Sequence, residues 1–144
     1  MKIYLGSDHA GFELKEKIKE FLTKKDLEVI DKGAFELNPE DDYPDFVIPV
    51  AEEVSKDTEN SRGIILGGSG QGEAMAANKV KGIRAAVFYG GPKEIITLSR
   101  EHNNSNILSL GARFVSKREA FKAIELWLGT SFEGGRHEQR LNKF

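Results

Sequence analysis

Five short apolar runs, separated by stretches with helical periodicity, set the tightest limit on what this chain can fold into. The runs cover residues 3–5, 28–30, 64–66, 85–88 and 107–110. Strands that alternate with helices along a chain form a parallel sheet with helices on both faces. Because crossover connections are right-handed, the alternation predicts a doubly wound three-layer α/β sandwich with a five-stranded parallel sheet.

Helical periodicity is clearest where apolar residues recur every three or four positions. Three such stripes predict helices with one buried face: Leu14, Ile18, Phe21 and Leu22; Val47, Val50, Ala51 and Val54; Ala120, Ile124, Trp127 and Leu128. Shorter helices are predicted from 72 to about 79 and from Pro92 to about His102. Ser116, followed three residues later by Glu119, has the spacing of a capping box. Residues 31–44 are polar and predict a loop.

Composition narrows the class of protein further. A length of 144 residues predicts one domain, 1–144. Cysteine is absent, which excludes disulfides, thiolate metal sites and a cysteine nucleophile. The 23 acidic and 21 basic residues nearly balance, which argues against nucleic acid or an anionic membrane as the main partner. No apolar run is long enough for a membrane span or a signal peptide, so we expect a soluble, cytoplasmic protein.

The glycine-rich segment 67–73 (GGSGQGE) follows the third run and leads into a helix. Such a turn aims several main-chain N–H groups at one point and favours an anion. The spacing nearly fits a P-loop, but Glu73 stands at the lysine position and Ala74 at the hydroxyl position. A dinucleotide motif fails as well, because Met75 stands where the third glycine belongs. The segment predicts a cradle for a negative oxygen with a carboxylate at its edge; a plain strand-to-helix turn is the alternative.

Other polar residues follow the ends of the predicted strands, where doubly wound sheets bind their ligands. Asp8 and His9 follow the first strand, and Arg113 follows the fifth. Asp8 has an alternative role as a cap of the first helix. His102 and Asn103 instead close the fourth helix, directly before the fifth strand, so their assignment to the site needs further support.

Two further groups of residues bear on ligands. The three histidines are far apart in sequence and lack H-x-x-H spacing, so we predict no metal site. Positive charge is concentrated at residues 134–140, where Arg136, His137 and Arg140 could share a helix face and clamp a phosphate. A solvated tail is the alternative.

Glu73 is the one candidate base for a carbon acid, since a carboxylate beside main-chain donors suits enediol formation.

Six segments in order resemble the type B ribose-5-phosphate isomerase family, which also includes galactose-6-phosphate isomerase subunits and allose-6-phosphate-acting members. They are residues 6–11 (GSDHAG), 42–44 (DYP), 67–79 (the cradle and AANK), 82–85 (GIRA), 101–104 (EHNN) and 134–137 (GGRH). The resemblance spans essentially the whole chain. It implies a Rossmann-like fold, no metal or organic cofactor, and a homodimer, with a tetramer as the alternative, whose two sites lie at the subunit interface.

The resemblance also implies interconversion of an aldose phosphate and a ketose phosphate through a cis-enediolate. One branch of the family uses a cysteine base at the position of Gly67; this chain has none and carries the glutamate of the other branch at Glu73. By the same resemblance His102 opens the sugar ring, while Asp8 contacts the sugar hydroxyls and assists. The implied substrate-binding residues are His9, Tyr43, Gly68, Ser69, Gly70, Gly72, Asn103, Arg113, Arg136, His137 and Arg140, part of them from the second subunit.

The expected substrate pair is ribose 5-phosphate and ribulose 5-phosphate. A hexose 6-phosphate such as allose or galactose 6-phosphate is the alternative within the same chemistry. A flavodoxin-like binding module without catalysis is the alternative from another class. It fits less well, because the loop after the first strand lacks the hydroxyl-rich sequence of a flavodoxin phosphate loop.

Overall fold

One five-stranded sheet forms the centre of the computed structural model, which describes residues 1–144. The strands are β1 (Lys2–Ser7), β2 (Glu28–Asp31), β3 (Ser61–Gly67), β4 (Ala85–Phe88) and β5 (Ile107–Gly111). All neighbours pair in parallel, in the order β2-β1-β3-β5-β4. The predicted fold class is therefore confirmed, and each of the five apolar runs is a strand.

Six helices connect or follow the strands. They are α1 (Phe12–Thr23), α2 (Pro44–Lys56), α3 (Gln71–Ala77), α4 (Glu94–Glu101), α5 (Lys117–Gly129) and α6 (Arg136–Leu141). The predicted capping box begins α5: the Glu119 main-chain N–H donates to Ser116 Oγ at 3.2 Å, and the Ser116 N–H donates to Glu119 Oε2 at 2.8 Å. None of the six helices has the length and apolar content needed to cross a bilayer.

The helices cover the sheet in two layers, each with its own core. On one face, α1, α4 and α5 pack over Ile64 and Leu66 of the central strand; on the other, α2 and α3 pack over Ile65. Successive strand residues point to opposite faces, so an unbroken apolar run supplies both cores. Trp127 of α5 is fully buried, and its Nε1–H donates to Ser105 Oγ at 2.8 Å.

Helix α1 departs from its predicted stripe at one position. Ile18 and Leu22 are fully buried as expected, but so is Lys15. The Lys15 ammonium lies 2.7 Å from Asp31 Oδ2, at the end of β2, and 2.7 Å from Glu16. A buried charge is tolerated when it is paired in this way, and the pair joins the start of α1 to the edge strand.

The strand order creates a switch point between β1 and β3. From β1 the chain passes to β2 on one side and then returns to β3 on the other side. In open parallel sheets this reversal leaves a crevice outside the carboxyl ends of the two strands. The register brings those ends level, with Ser7 beside Leu66 and Gly67 beside Gly111. We call this side of the sheet the carboxyl edge and the opposite side the amino edge.

Candidate active site

The cradle, residues 67–73, lies at the carboxyl edge beside the switch point. Gly70 adopts a left-handed conformation (φ 77°), which turns the chain from β3 into α3, and its carbonyl accepts a hydrogen bond from Ser109 Oγ at 2.6 Å. The main-chain N–H groups of Gly68, Ser69 and Gly72 donate to no acceptor within the chain. Unused donors in a glycine turn at a helix start form a binding place for an anionic oxygen.

Glu73 sits in the first turn of α3 with only 4% of its surface exposed. Its carboxylate lies against the bare Cα of Gly67: a Cβ atom on residue 67 would stand 1.6 Å from Glu73 Oε1 and 2.1 Å from Cδ. Burial is the largest influence on this carboxyl and, with the charge of Asp8, raises its pKa, while main-chain N–H groups of Glu73 and Gly70 partly oppose the rise. A desolvated carboxylate with a raised pKa is a stronger base than a free one.

Asp8 and His9 follow β1 and lie on the side of the crevice opposite the cradle. Asp8 Oδ1 accepts the main-chain N–H groups of Ala10 at 3.0 Å and Gly11 at 3.3 Å. This turn precedes α1, whose N-cap is Gly11 without a side-chain cap. Asp8 is therefore not the N-cap of the helix. His9 donates to Asp41, a residue that the sequence reasoning did not single out.

Arg113 and Tyr43 close two more sides of the cradle. The Arg113 guanidinium packs over Gly68, where an added Cβ would lie 3.2 Å from Nη1. The Arg113 main-chain N–H donates to the Gly68 carbonyl at 3.1 Å. Tyr43 reaches Gly72, where an added Cβ would lie 2.8 Å from the phenol oxygen. The carboxyl edge thus brings together the following predicted site residues: Asp8, His9, Tyr43, Gly68, Ser69, Gly70, Gly72, Glu73 and Arg113.

The remaining predicted residues lie at the amino edge. His102 is the C-cap of α4, which runs from the end of β4 back toward the start of β5. Its ring stacks on that of His137 in α6, with 4.1 Å between centroids and 9° between planes. The predicted helical tail exists as α6; within one chain His137 is buried against His102, while Arg136 and Arg140 are exposed.

One chain therefore does not bring all predicted site residues together. Strand β5 separates His102 from the cradle, and five strand residues at roughly 3.3 Å each span on the order of 15 Å. The cavities also differ between the carboxyl edge and the amino edge. A cavity of about 390 Å³ lies against Asn103 and Arg84 at the amino edge, whereas none of the five principal cavities is lined by Glu73 or Asp8.

Two clusters contain enough ligand atoms to hold a metal ion. His102, Glu133 and His137 form one, Asp8, His9 and Asp41 the other, with ligand atoms within 4.8 Å of one another in each. Helices α4 and α6 bring His102 and His137, which are far apart in sequence, into contact, and sequence spacing alone does not show this. In the first cluster, Arg136 and Arg140 add positive charge near His137 and, after burial and His102, lower its pKa. That positive charge disfavours a metal cation at this cluster.

The fold and the site together define an α/β protein with a buried carboxylate beside an anion-binding turn at the switch point of its sheet. Residues 3–144 match the ribose/galactose isomerase family. The chain belongs to that family.

Relatives with assigned names share almost the full length. A probable ribose-5-phosphate isomerase B of Mycoplasma genitalium is 43% identical over 98% of this chain and 91% of its own. Ribose-5-phosphate isomerase B of Mycolicibacterium paratuberculosis is 43% identical over 99% of this chain and 88% of its own.

Solved structures agree in fold. The M. genitalium ribose-5-phosphate isomerase B with bound ribulose 5-phosphate has a TM-score of 0.94 at 42% identity, covering 99% of this chain and 92% of its own. The Clostridium thermocellum ribose-5-phosphate isomerase B has a TM-score of 0.93 at 48% identity, covering 99% and 94%.

Proposed function

We propose that this chain is an aldose–ketose isomerase that interconverts ribose 5-phosphate and ribulose 5-phosphate, with Glu73 as the proton carrier. One observation carries the proposal: a nearly buried carboxylate lies beside unused main-chain donors, at the ligand-binding edge of a fold shared with a ribulose-5-phosphate complex. The raised pKa of Glu73, caused mainly by burial, suits a base that must take and return a proton.

The reaction moves two hydrogens within the substrate. In the aldose-to-ketose direction the Glu73 carboxylate takes the proton from C2, the electron pair of the broken C–H bond forms the C1=C2 double bond, and the π pair of the C1 carbonyl moves onto its oxygen. The resulting cis-enediolate carries its charge on oxygen. Glu73 then returns the proton to C1, while the proton of the C2 hydroxyl is transferred to the oxygen on C1. No atom is gained or lost overall.

The free N–H groups of the cradle stabilise the intermediate in this proposal. Donors at Gly68, Ser69 and Gly72 are fixed by the turn before substrate arrives, so they need no reorganisation when charge develops. Removing one such donor from other enzymes costs roughly a hundred- to a thousandfold in rate. The glycines also keep side chains away from the reacting carbons.

The amino-edge residues reach the site from a second copy of the chain. His102 opens the furanose ring, Asn103 binds the sugar, and Arg136, His137 and Arg140 contribute to the phosphate site together with His9 and Arg113. This arrangement explains why the cradle and His102 lie at opposite edges within one chain. Large exposed apolar residues, including Met75, Tyr89 and Phe114, provide surface for such a contact.

A direct assay follows conversion of four sugars by NMR: ribose 5-phosphate, ribulose 5-phosphate, allose 6-phosphate and galactose 6-phosphate. We expect conversion of the two pentose phosphates. Conversion of a hexose phosphate alone would preserve the chemistry and refute the substrate. No conversion of any of the four would refute the isomerase.

Complementation tests the shared site separately. Glu73→Gln and His102→Ala chains, each with its own affinity tag, would be co-expressed and the mixed dimer isolated. In a mixed dimer one of the two sites receives intact residues from both chains, so the isolated mixed dimer should recover about half of wild-type turnover. Recovery no greater than the sum of the single variants would refute sharing.

A further inference from the structure

We propose that Asp41 is a positioning residue for the phosphate end of the site, which holds the His9 imidazole so that its free Nε2 is presented to the phosphate of the sugar. The inference rests on the proposed function, in which His9 contributes to phosphate binding. Asp41 belongs to none of the segments that pointed to the family. It comes from the polar loop between β2 and α2.

The contact between Asp41 and His9 holds the residue at two points, the main chain and the ring. Asp41 Oδ1 accepts the His9 main-chain N–H at 2.9 Å and lies 2.7 Å from Nδ1. An ionised carboxylate only accepts, so Nδ1 carries the proton in this pair. Nε2 has no hydrogen-bond partner in the chain, and 30% of the side chain is exposed. The ring is therefore anchored on one side and open on the other.

The loop that carries Asp41 is itself held in place. The Asp41 main-chain N–H donates to the Asn38 carbonyl at 3.2 Å, and the Glu40 N–H donates to Asn38 Oδ1 at 3.1 Å. Two residues beyond Asp41, Tyr43 packs against Gly72 of the cradle. One short loop thus contacts both His9 and the cradle, and it fixes the phosphate end relative to the reacting end.

The charges around His9 favour its cationic form. The hydrogen bond that the His9 ring donates to Asp41 is the largest influence and raises the His9 pKa, Asp8 adds to the rise, and partial burial and Arg113 oppose it. Asp41 has only 8% of its side chain exposed, and its second oxygen, Oδ2, is buried without a partner. A buried carboxylate of this kind is stabilised by a facing cation. A cationic His9 can donate from Nε2 to a phosphate oxygen.

Asp41→Asn separates position from charge, because the amide oxygen can still accept both His9 hydrogens while the negative charge is lost. We expect KM for ribose 5-phosphate at pH 8 to rise roughly ten- to a hundredfold, the value of a hydrogen bond to a charged group. At pH 6, where protonation of His9 is favoured in both proteins, the difference in KM should shrink. Glu40→Gln is the matched control, because it removes a negative charge from the exposed neighbouring residue. It should leave KM unchanged at both pH 8 and pH 6.

A readout without turnover separates this inference from the proposed reaction. Nitrogen-15 NMR of wild-type protein should show a protonated Nδ1 at all pH values and a His9 titration midpoint above 6.5, and inorganic phosphate should perturb the Nε2 resonance. The midpoint should fall in Asp41→Asn. These results would support the inference even if the sugars were not converted. A wild-type His9 with an unprotonated Nδ1 in its neutral form, or an equal KM rise at pH 6 and pH 8 in Asp41→Asn, would overturn it.

Discussion

Gly67→Ala should inactivate the enzyme by displacing the Glu73 carboxylate, although the alanine side chain has no reactive group of its own. The new Cβ would stand 1.6 Å from Glu73 Oε1, so the oxygen must retreat by about 1.4 Å to reach even a 3.0 Å contact. A displacement near 1 Å in a catalytic group costs about a hundredfold, and complete loss of a positioned base costs about a hundred- to ten-thousandfold. We therefore expect kcat to fall by two to four orders of magnitude.

The assay is the steady-state conversion of ribose 5-phosphate to ribulose 5-phosphate, measured with thermal unfolding to confirm that the variant folds. Gly67 does not have a positive φ, so alanine adds no backbone strain of its own. Gly129→Ala is the matched control, because nothing lies within 4 Å of the added Cβ there. The double variant with Glu73→Gln should be no slower than Glu73→Gln alone, since both substitutions abolish the action of the same group, the Glu73 carboxylate. Wild-type kcat in Gly67→Ala, or additive losses in the double variant, would refute the reasoning.

Three further predictions concern the base, the ring-opening residue and the phosphate site. Burial raises the Glu73 pKa, so the native state holds this proton more tightly than the unfolded chain; stability falls as pH rises from about 4.5 through the native pKa, and kcat falls as pH drops through it. Glu73→Gln should accordingly raise Tm at pH 8 but not at pH 4; an equal change at both would contradict the sign. His102→Ala should slow ribose 5-phosphate, which is mainly cyclic, more than ribulose 5-phosphate, which is open-chain; equal losses would remove the ring-opening role. Arg136→Ala should raise KM roughly tenfold or more, as expected for a lost charged hydrogen bond, with little change in kcat; an unchanged KM would return α6 to a solvated tail.

The elements of the fold could be predicted from local patterns, and their arrangement could not. Apolar runs and helical stripes are local, so every strand and most helix faces follow from spacing. The insertion of β5 between β3 and β4 depends on contacts between residues far apart in sequence. Lys15 shows the same limit at one position, because a lysine beside an apolar stripe is buried only when a distant Asp31 pairs with it.

The positions of candidate site residues could be predicted where polar residues directly follow the end of a strand. The cradle, Glu73 and Asp8 lie where a doubly wound sheet places ligands. The spatial exclusion between Glu73 and a side chain at 67 was not foreseen, because it depends on side-chain direction. The stack of His102 on His137 depends on how α6 folds back to α4. Asp41 lay in a polar loop with other acidic residues, and no local signal distinguished it from them.

The most direct test of the central claim follows hydrogen exchange at the carbons of the sugar. Wild-type protein and Glu73→Gln would be incubated with ribose 5-phosphate in D₂O, and NMR would record deuterium at C1 of the ketose and at C2 of the recovered aldose, alongside binding of the sugar. We predict that the wild type incorporates solvent deuterium and forms ribulose 5-phosphate, while Glu73→Gln binds the sugar but exchanges neither position. Exchange by Glu73→Gln at the wild-type rate would show that another group carries the proton.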